Sequence, residues 1–321
     1  MKIAIIGATS FLGQTLISAL KKDKPCDFSL TEEHDLHLFS RTNSFDSMPS
    51  LSWTCYNYPK NPLDYAELST FDSIYYCAGA GIQPKHQDNN TQIYELNAFE
   101  PIRLATALKD NSYTGKLITF GSYFEIGNHQ EARSYTEKEV ATHRNPLPNA
   151  YCTAKNLLTR FVDTKLRTPN GLPFIFQHFI LTNIYGATEN NKRLIPYIIQ
   201  SSLQKEPLSF TAGTQERQYT HIRDIAYFLV NNIAVKESGI FNLTADLVIS
   251  VRDMIEKVLQ VVEEELELKP DVTFGTADKR DVSMKYLALN TSRLQNCFNF
   301  APKISLEKGI KEYITLYSRS V

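Results

Sequence analysis

GATSFLG, Gly7 to Gly13, decides the reading of this chain because of what stands on either side of it. Before it, KIAII from Lys2 is an apolar, β-branched run of strand length. After it, FLGQTLISALKK from Phe11 carries apolar residues at helical spacing. In a strand–glycine turn–helix unit, a glycine permits the tight turn and the helix N-terminus offers unpaired N–H groups to an anion such as a pyrophosphate. Gly7 stands at the turn, and Gly13 where helix and strand pack closest. Ser10 occupies the place where a middle glycine is usual; it is small, and its hydroxyl can itself donate to phosphate. Alone, the motif also fits an ordinary strand-to-helix connection, so the rest of the chain must decide.

Working outward, DLHLFSR from Asp35, SWTCYNY from Ser52, DSIYYCAGAG from Asp72 and KLITFGS from Lys116 read as further strands. A long helical pattern runs from about Asn89 to Lys109, another helix starts near Asn149, and FIFQHFILTNIYG from Phe174 closes this half. Strands alternating with helices predict an α/β fold, a Rossmann-type doubly wound parallel sheet covered on both faces. After Gly186 the pattern is more mixed. RLIPYIIQSSLQ reads as helix, SFTAGTQERQYTHI as strand and loop, and GIFNLT as a short strand. VRDMIEKVLQVVEEELE is a periodic helix preceded by Ser250, with Asp253 at capping-box spacing. The expected division is a dinucleotide-binding domain over 1–175, with its sheet completed by later segments. A smaller mixed α/β substrate lobe follows over 176–321, with returns to the first domain near 215–245.

Composition narrows the function classes. The chain has 321 residues, with 34 Lys plus Arg against 35 Asp plus Glu, so it lacks the basic excess of a nucleic-acid binder. Five cysteines, odd in number, widely spread and without a C-x-x-C pair, point away from a disulfide framework or a metal site and toward a reducing cytoplasm. No apolar run approaches the roughly 20 residues that span a bilayer, and no membrane partner is expected.

The end of the second strand discriminates between the two nicotinamide cofactors. A carboxylate there accepts from the ribose 2′-OH of NAD, whereas an Arg accommodates the 2′-phosphate of NADP. The residues are Ser40, Arg41 and Thr42. No carboxylate is present to repel a 2′-phosphate, and Arg41 can pair with it bidentately. NADP(H) is therefore preferred, with NAD(H) possible.

AYCTAK places Tyr151 and Lys155 four residues apart, on one face of the expected helix. Ser122 ends the KLITFGS strand, at the C-terminal edge where such sheets bind ligands. Reducing a carbonyl develops negative charge on oxygen; a phenol can give the proton and a serine hydroxyl can hold that oxygen. A free tyrosine titrates near 10, and a neighbouring ammonium brings a phenol toward the working range. Tyr-x-x-x-Lys is common by chance. The order glycine turn, Ser122, then Tyr151 and Lys155, each in its expected element, is not.

These motifs together resemble an extended short-chain dehydrogenase/reductase, over nearly the whole chain. GATSFLG, ELNAFEP, FGSYFEIG, YCTAK, NIYG, RLIPYII, RQYTHIRDIA, GIFNL and SLEKGIKEYI occur in that family's order. The resemblance implies Ser122, Tyr151 and Lys155 as the catalytic set, with Asn97 distorting its helix in support of the lysine. It implies cofactor contacts at Gly7, Thr9, Ser10, Phe11, Leu12 and Gly13, then at Ser40, Arg41 and Thr42. Further along, it implies Cys77, Ala78, Gly79, Asn97, Tyr151 and Lys155. The substrate implied is a nucleoside diphosphate sugar, with Ser122, Tyr123, Asn183, Arg217 and Arg280 as its contacts; amide and guanidinium donors suit a pyrophosphate.

Within the family, sugar-nucleotide 4,6-dehydratases carry acidic residues directly after the hydroxyl residue. Here Tyr123 and Phe124 stand there, and Glu125, one step on, is expected to point elsewhere. The family's usual Arg shortly before NIYG is replaced by Ile180. The reaction expected is NADPH-dependent reduction of the C4 ketone of a nucleoside-diphosphate-4-keto-6-deoxyhexose, and the second half resembles the reductases that make dideoxy or 6-deoxy sugars. An NAD-dependent 4-epimerase is the alternative. A non-catalytic dinucleotide sensor on the same fold is disfavoured by the retained Tyr–Lys pair. Resemblance also implies a homodimer, formed by the helix from about Asn89 and the helix of YCTAKNLLTRFV.

Overall fold

The computed structural model describes residues 1–21, 34–45, 51–81, 90–169, 171–275 and 284–318. Its strands, in chain order, are β1 (Lys2–Ile6), β2 (Asp35–Ser40), β3 (Ser52–Cys55), β4 (Ser73–Tyr76), β5 (Lys116–Ser122), β6 (Ile175–Leu181), β7 (Asn183–Tyr185), β8 (Leu208–Phe210), β9 (Glu216–His221), β10 (Gly239–Leu243), β11 (Val248–Ser250) and β12 (Val272–Phe274). The helices are α1 (Phe11–Lys21), α2 (Tyr65–Leu68), α3 (Asn90–Tyr94), α4 (Glu100–Asp110), α5 (Glu137–Thr142), α6 (Ala150–Arg167), α7 (Leu194–Leu203), α8 (Ile222–Asn231), α9 (Val251–Leu266), α10 (Ser292–Phe298) and α11 (Leu306–Ser318).

Seven parallel strands form the main sheet in the order β10-β6-β5-β4-β1-β2-β3. Alternation along β1 feeds two cores, as a parallel strand buried on both faces requires. Ile3 and Ile5 pack with Leu16 and Ile17 of α1 and with Ile225 and Leu229 of α8. Ala4 and Ile6 face the other way, toward Leu104 and Leu108 of α4 and Leu158 and Val162 of α6. After β1 the chain builds outward to β2 and β3, then crosses back to β4 on β1's other side. That reversal opens a crevice beyond the carboxyl ends of β1 and β4, where ligands of such sheets bind.

The doubly wound sheet and the smaller mixed lobe are as expected from the sequence. The 175/176 boundary falls inside β6, and the main sheet takes its last strand, β10, from the 215–245 stretch of the second half. FIFQHFILTNIYG is two strands: β6 stays in the main sheet, and β7 joins β9 and β11 in a three-stranded sheet. At this parting Thr182 lies 2.8 Å from Thr244, oxygen to oxygen, and Thr220 lies 3.1 Å from Thr244, so the hydroxyls satisfy one another. The lobe's core lies among Ile198 of α7, Val258 and Val261 of α9 and Tyr313 of α11.

Three local details refine the sequence reading. The long helix is interrupted by a π-helical turn, Glu95–Phe99, between α3 and α4. The Ser250 hydroxyl accepts from Asp253 N at 3.0 Å and donates to its carboxylate at 2.7 Å. Asp, one methylene shorter than Glu, thus closes on the cap hydroxyl. Helix α5 was not anticipated, although Thr136 and Glu139 form a full capping box at its start. Among the described residues no helix is long and apolar enough to cross a membrane.

Candidate active site

The first wall of the crevice is the β1–α1 turn. Gly7 adopts φ +83°, in the region that favours glycine, and a Cβ there would lie 2.4 Å from Ala78 N. The turn and the end of β4 therefore meet backbone to backbone. A Cβ on Gly13 would lie 2.5 Å from Gly7 O, so α1 is seated equally tightly. Ser10 caps this helix: its Oγ accepts from Gly13 N at 3.1 Å, which leaves the hydroxyl proton for a second partner. Phe11 and Leu12 line the cleft, and amides in a first helical turn have no carbonyl within their own helix to receive them. The backbone here fits a dinucleotide pyrophosphate.

The cleft has a volume of about 600 Å³. It brings together Ser10, Phe11 and Leu12, then Cys77, Ala78 and Gly79 after β4. Asn97, Ser122, Tyr151, Lys155 and Asn183 complete the expected residues on its walls. Gly7, Thr9 and Gly13 shape the turn without lining the cleft. A separate groove of about 440 Å³ between α8 and the 298–308 segment contains none of the expected site residues.

Asn97 sits inside the π turn. Its Nδ2 donates to Ile93 O at 2.8 Å and to Ala80 O at 2.7 Å. The helix is indeed distorted at this residue, and the side chain ties the widened turn to the loop after β4. Lys155 is buried, and its Nζ donates to Phe120 O at 2.8 Å. It lies 5.9 Å from the centre of the Tyr151 ring. Asn149 caps α6 by accepting from Cys152 N at 3.0 Å, setting the helix register that puts Tyr151 and Lys155 on one face.

The electrostatics follow from burial. Desolvation pushes the Tyr151 phenol up to about 12, opposed by its hydrogen bond with the Ser122 hydroxyl. Desolvation also lowers Lys155 to about 8, against the attraction of Glu125. Burial thus holds the phenol in its protonated form at neutral pH.

Several expected contacts are placed differently. Tyr123 is fully buried within the core beneath β5, and Phe124 takes the cleft-facing place. The turn after β5 is a short 3-10 helix, Tyr123–Ile126, whose tighter winding rotates Tyr123 inward. Glu125 does not line the cleft. It curls back, accepting from Ser122 N at 2.7 Å. Ser40 is buried and shapes its turn instead of facing a ligand: its one proton goes to Thr42 O at 2.7 Å, and it accepts from Trp53 Nε1 at 2.9 Å. Arg41 and Thr42 stand exposed at the end of β2. Arg217 is buried outside the cleft lining, donating from Nη1 to Glu216 O at 2.8 Å and Lys285 O at 3.3 Å. Arg280 lies outside the described residues. Cys152, next to Tyr151 on α6, is buried and also borders the cleft.

The sequence reading missed Arg193. It precedes α7, lines the cleft, and forms an ion pair with buried Glu189 at 3.1 Å, where Tyr313 also donates to the carboxylate. Its charge acts on the Tyr151 phenol. A cation immediately before the first turn of the RLIPYII helix is the signal the sequence offers.

The model of the NAD dependent epimerase/dehydratase family matches residues 3–243. The CDP-abequose synthase of Salmonella muenchen is 23% identical over 326 residues, covering 98% of this chain and 97% of that protein. Among solved structures, a UDP-N-acetylglucosamine 4-epimerase from Methanobrevibacter ruminantium M1 in complex with UDP-N-acetylmuramic acid superposes with a TM-score of 0.80 at 16% identity, covering 100% of this chain and 99% of that one. The UDP-glucuronic acid 4-epimerase from Bacillus cereus, in complex with UDP-glucuronic acid and NAD, gives 0.79 at 18% identity, covering 100% of both chains. At these identities the structural likeness speaks for the fold, and the family match for the kind of enzyme. The chain belongs to the NAD-dependent epimerase/dehydratase family of extended short-chain dehydrogenases/reductases and is an NAD(P)-dependent enzyme.

Proposed function

We propose that this enzyme uses NADPH to reduce the C4 ketone of a nucleoside-diphosphate-4-keto-6-deoxyhexose. The observation that carries the reading is the exposed Arg41 at the end of β2, where no carboxylate stands. Ser40, fixed by Trp53 and by Thr42 O, braces the turn that presents it. The full-length likeness to CDP-abequose synthase supports a deoxysugar product.

The β1–α1 turn and Cys77–Gly79 would hold the dinucleotide, and Arg41 its 2′-phosphate. Bound there, NADPH supplies the hydride that the carbonyl carbon receives. The Ser122 hydroxyl holds the carbonyl oxygen, and the Tyr151 phenol gives its proton to that oxygen as charge develops on it. Reduction needs a phenol that starts protonated, whereas an epimerase must begin by removing a proton from the sugar hydroxyl. Lys155, held by Phe120 O, supplies the positive charge that makes the phenol a stronger acid. Asn183 and Arg193 lie where the sugar nucleotide would enter, with an amide and a guanidinium for its phosphates.

Following reduced-nicotinamide absorbance with NADPH or NADH and a panel of CDP-, dTDP-, GDP- and UDP-linked 4-keto-6-deoxy sugars tests the proposal. Rapid, substrate-dependent loss of NADPH is the expected result, and it names the base as well. Cofactor binding without loss of NADPH on any panel member sinks the ketoreductase reading and leaves the 4-epimerase.

A homodimer belongs to the same proposal. The π turn and α6 pack side by side, and they leave Phe99 40% and Leu157 39% exposed. A second copy would cover this apolar face of two adjacent helices. Leu157→Arg should then convert a dimer to a monomer in sedimentation, whereas a monomeric wild type rules the pairing out.

A further inference from the structure

Below Ser122, Tyr151 and Lys155 lies a buried polar layer that the reaction as described does not use. Glu125 is fully buried, with Oε1 accepting from Ser122 N at 2.7 Å, while Oε2 makes no hydrogen bond. Behind it, His178 is also fully buried. Its Nε2 lies 2.9 Å from the Thr159 hydroxyl and its Nδ1 lies 2.7 Å from the Thr119 hydroxyl. Thr159, one turn after Lys155 on α6, also reaches Lys155 O at 3.2 Å. The layer exists because residue 121 has no side chain: a Cβ on Gly121 would lie 2.5 Å from Glu125 Oε1 and 2.8 Å from His178 Nε2. A carboxylate and an imidazole have been brought together at the floor of the cleft through a gap that glycine leaves.

We propose that Glu125 is a positioning residue for the catalytic set, its carboxylate anchoring the backbone of Ser122 and acting as the buried counter-charge of Lys155. A buried carboxylate is costly to desolvate unless charge or hydrogen bonds compensate it. The Thr159 hydroxyl, one backbone N–H and the field of an ammonium are what this one has. The groups around it leave that pairing intact. His178, from β6, is held down to about 3 by burial and is neutral. His143, at the end of α5, meets Glu125 through the backbone carbonyl and is likewise lowered by burial. Cys77 also acts on Lys155, but burial pushes its thiol up to about 12, so it too is neutral. Tyr151 is protonated. Desolvation raises Glu125 to about 7, offset by Thr159, the Ser122 amide and Lys155, so the carboxylate is largely ionised at the Lys155 midpoint.

The sign follows directly. A negative charge facing Lys155 and Tyr151 raises the pKa of both. Removing it lowers both, so the ammonium and the protonated phenol are each lost at lower pH. The inference rests on the roles proposed above for Lys155 and Tyr151. Its test needs neither cofactor nor substrate, so failure of the ketone panel and failure here are separate results.

The experiment is an NMR titration of the full chain carrying ¹³C-labelled lysine, with the Lys155 signal assigned by its loss in Lys155→Met. The wild-type midpoint should lie near 8. Glu125→Gln keeps an oxygen for Ser122 N and nearly the same volume; its midpoint should fall by about one pH unit or more. Glu125→Asp keeps the charge but shortens the arm, so it should restore the wild-type midpoint. A residue that only filled space would give the opposite order, with Gln silent and Asp disturbed. An unchanged midpoint in Glu125→Gln, with melting temperature retained, overturns the proposal. Should that variant not fold, Glu125→Asp decides: a midpoint held at the wild-type value supports the counter-charge, and a fall of a full unit overturns it.

Discussion

Tyr151→Phe should lower kcat by about 10²- to 10⁴-fold, the range for loss of a positioned general acid, while NADPH binding stays as in wild type. At the middle of that range the loss corresponds to about 4 kcal/mol of transition-state stabilisation. The substitution removes one oxygen from a half-buried ring that borders the cleft, leaving the ring's packing in place. Ser122 can still hold the carbonyl oxygen, but no proton stands behind it. KM should change little, because the phenol's contribution grows as charge develops and is small in the ground state. Lys155→Met offers the contrast. It removes an ammonium held 2.8 Å from Phe120 O at the cleft wall, so it should impair cofactor binding as well as kcat. Stopped-flow turnover with fluorescence titration of NADPH separates the two patterns. Full activity in Tyr151→Phe would remove this residue from the mechanism; a parent enzyme that binds cofactor yet neither consumes NADPH nor interconverts C4 epimers would revive the sensor reading.

The parts of this site that follow backbone rules were legible in the sequence. Gly7 announces a turn that no other residue can make with Ala78 so close, and Tyr151 with Lys155 announces a shared helix face. Asn97 was legible as a helix distortion only through resemblance, since nothing in its local spacing signals a π turn. What escaped depends on contacts between distant segments. Glu125 stays off the cleft, but its buried seat was not legible in the sequence. The 3-10 winding of Tyr123–Ile126 and the missing side chain at Gly121 turn it inward, and the seat is completed by His178, 53 positions further along. Tyr123 was displaced by that same winding. Arg217 lies on a strand of the lobe's small sheet, whose register no local pattern reveals, and it points to carbonyls of Glu216 and Lys285. Arg193 was missed for the opposite reason: its position was readable, but its pairing with Glu189 and its reach to Tyr151 were not.

Arg41 carries the second large effect, on the choice of cofactor. Arg41→Ala should raise the KM for NADPH by about 10- to 100-fold, or roughly 1.4–2.7 kcal/mol, and leave the KM for NADH nearly unchanged. The reasoning rests on what stands around it. The turn is held from below by Ser40, whose hydroxyl is committed to Thr42 O and Trp53 Nε1, so it should keep its shape when the arginine is removed. The side chain itself is exposed, so its loss leaves no cavity. A guanidinium that pairs with a 2′-phosphate in a fork loses two charge-assisted hydrogen bonds on truncation, and a 2′-hydroxyl never made them. Arg41→Asp goes further: the carboxylate repels the phosphate and accepts from a ribose hydroxyl, so preference should invert toward NADH. The measurement is kcat/KM for both cofactors in wild type and the two variants. Equal losses with NADPH and NADH would mean that Arg41 supports the turn without reading the phosphate. A wild type that already prefers NADH would remove the main support for consumption of NADPH, and with it the reductase's advantage over the epimerase.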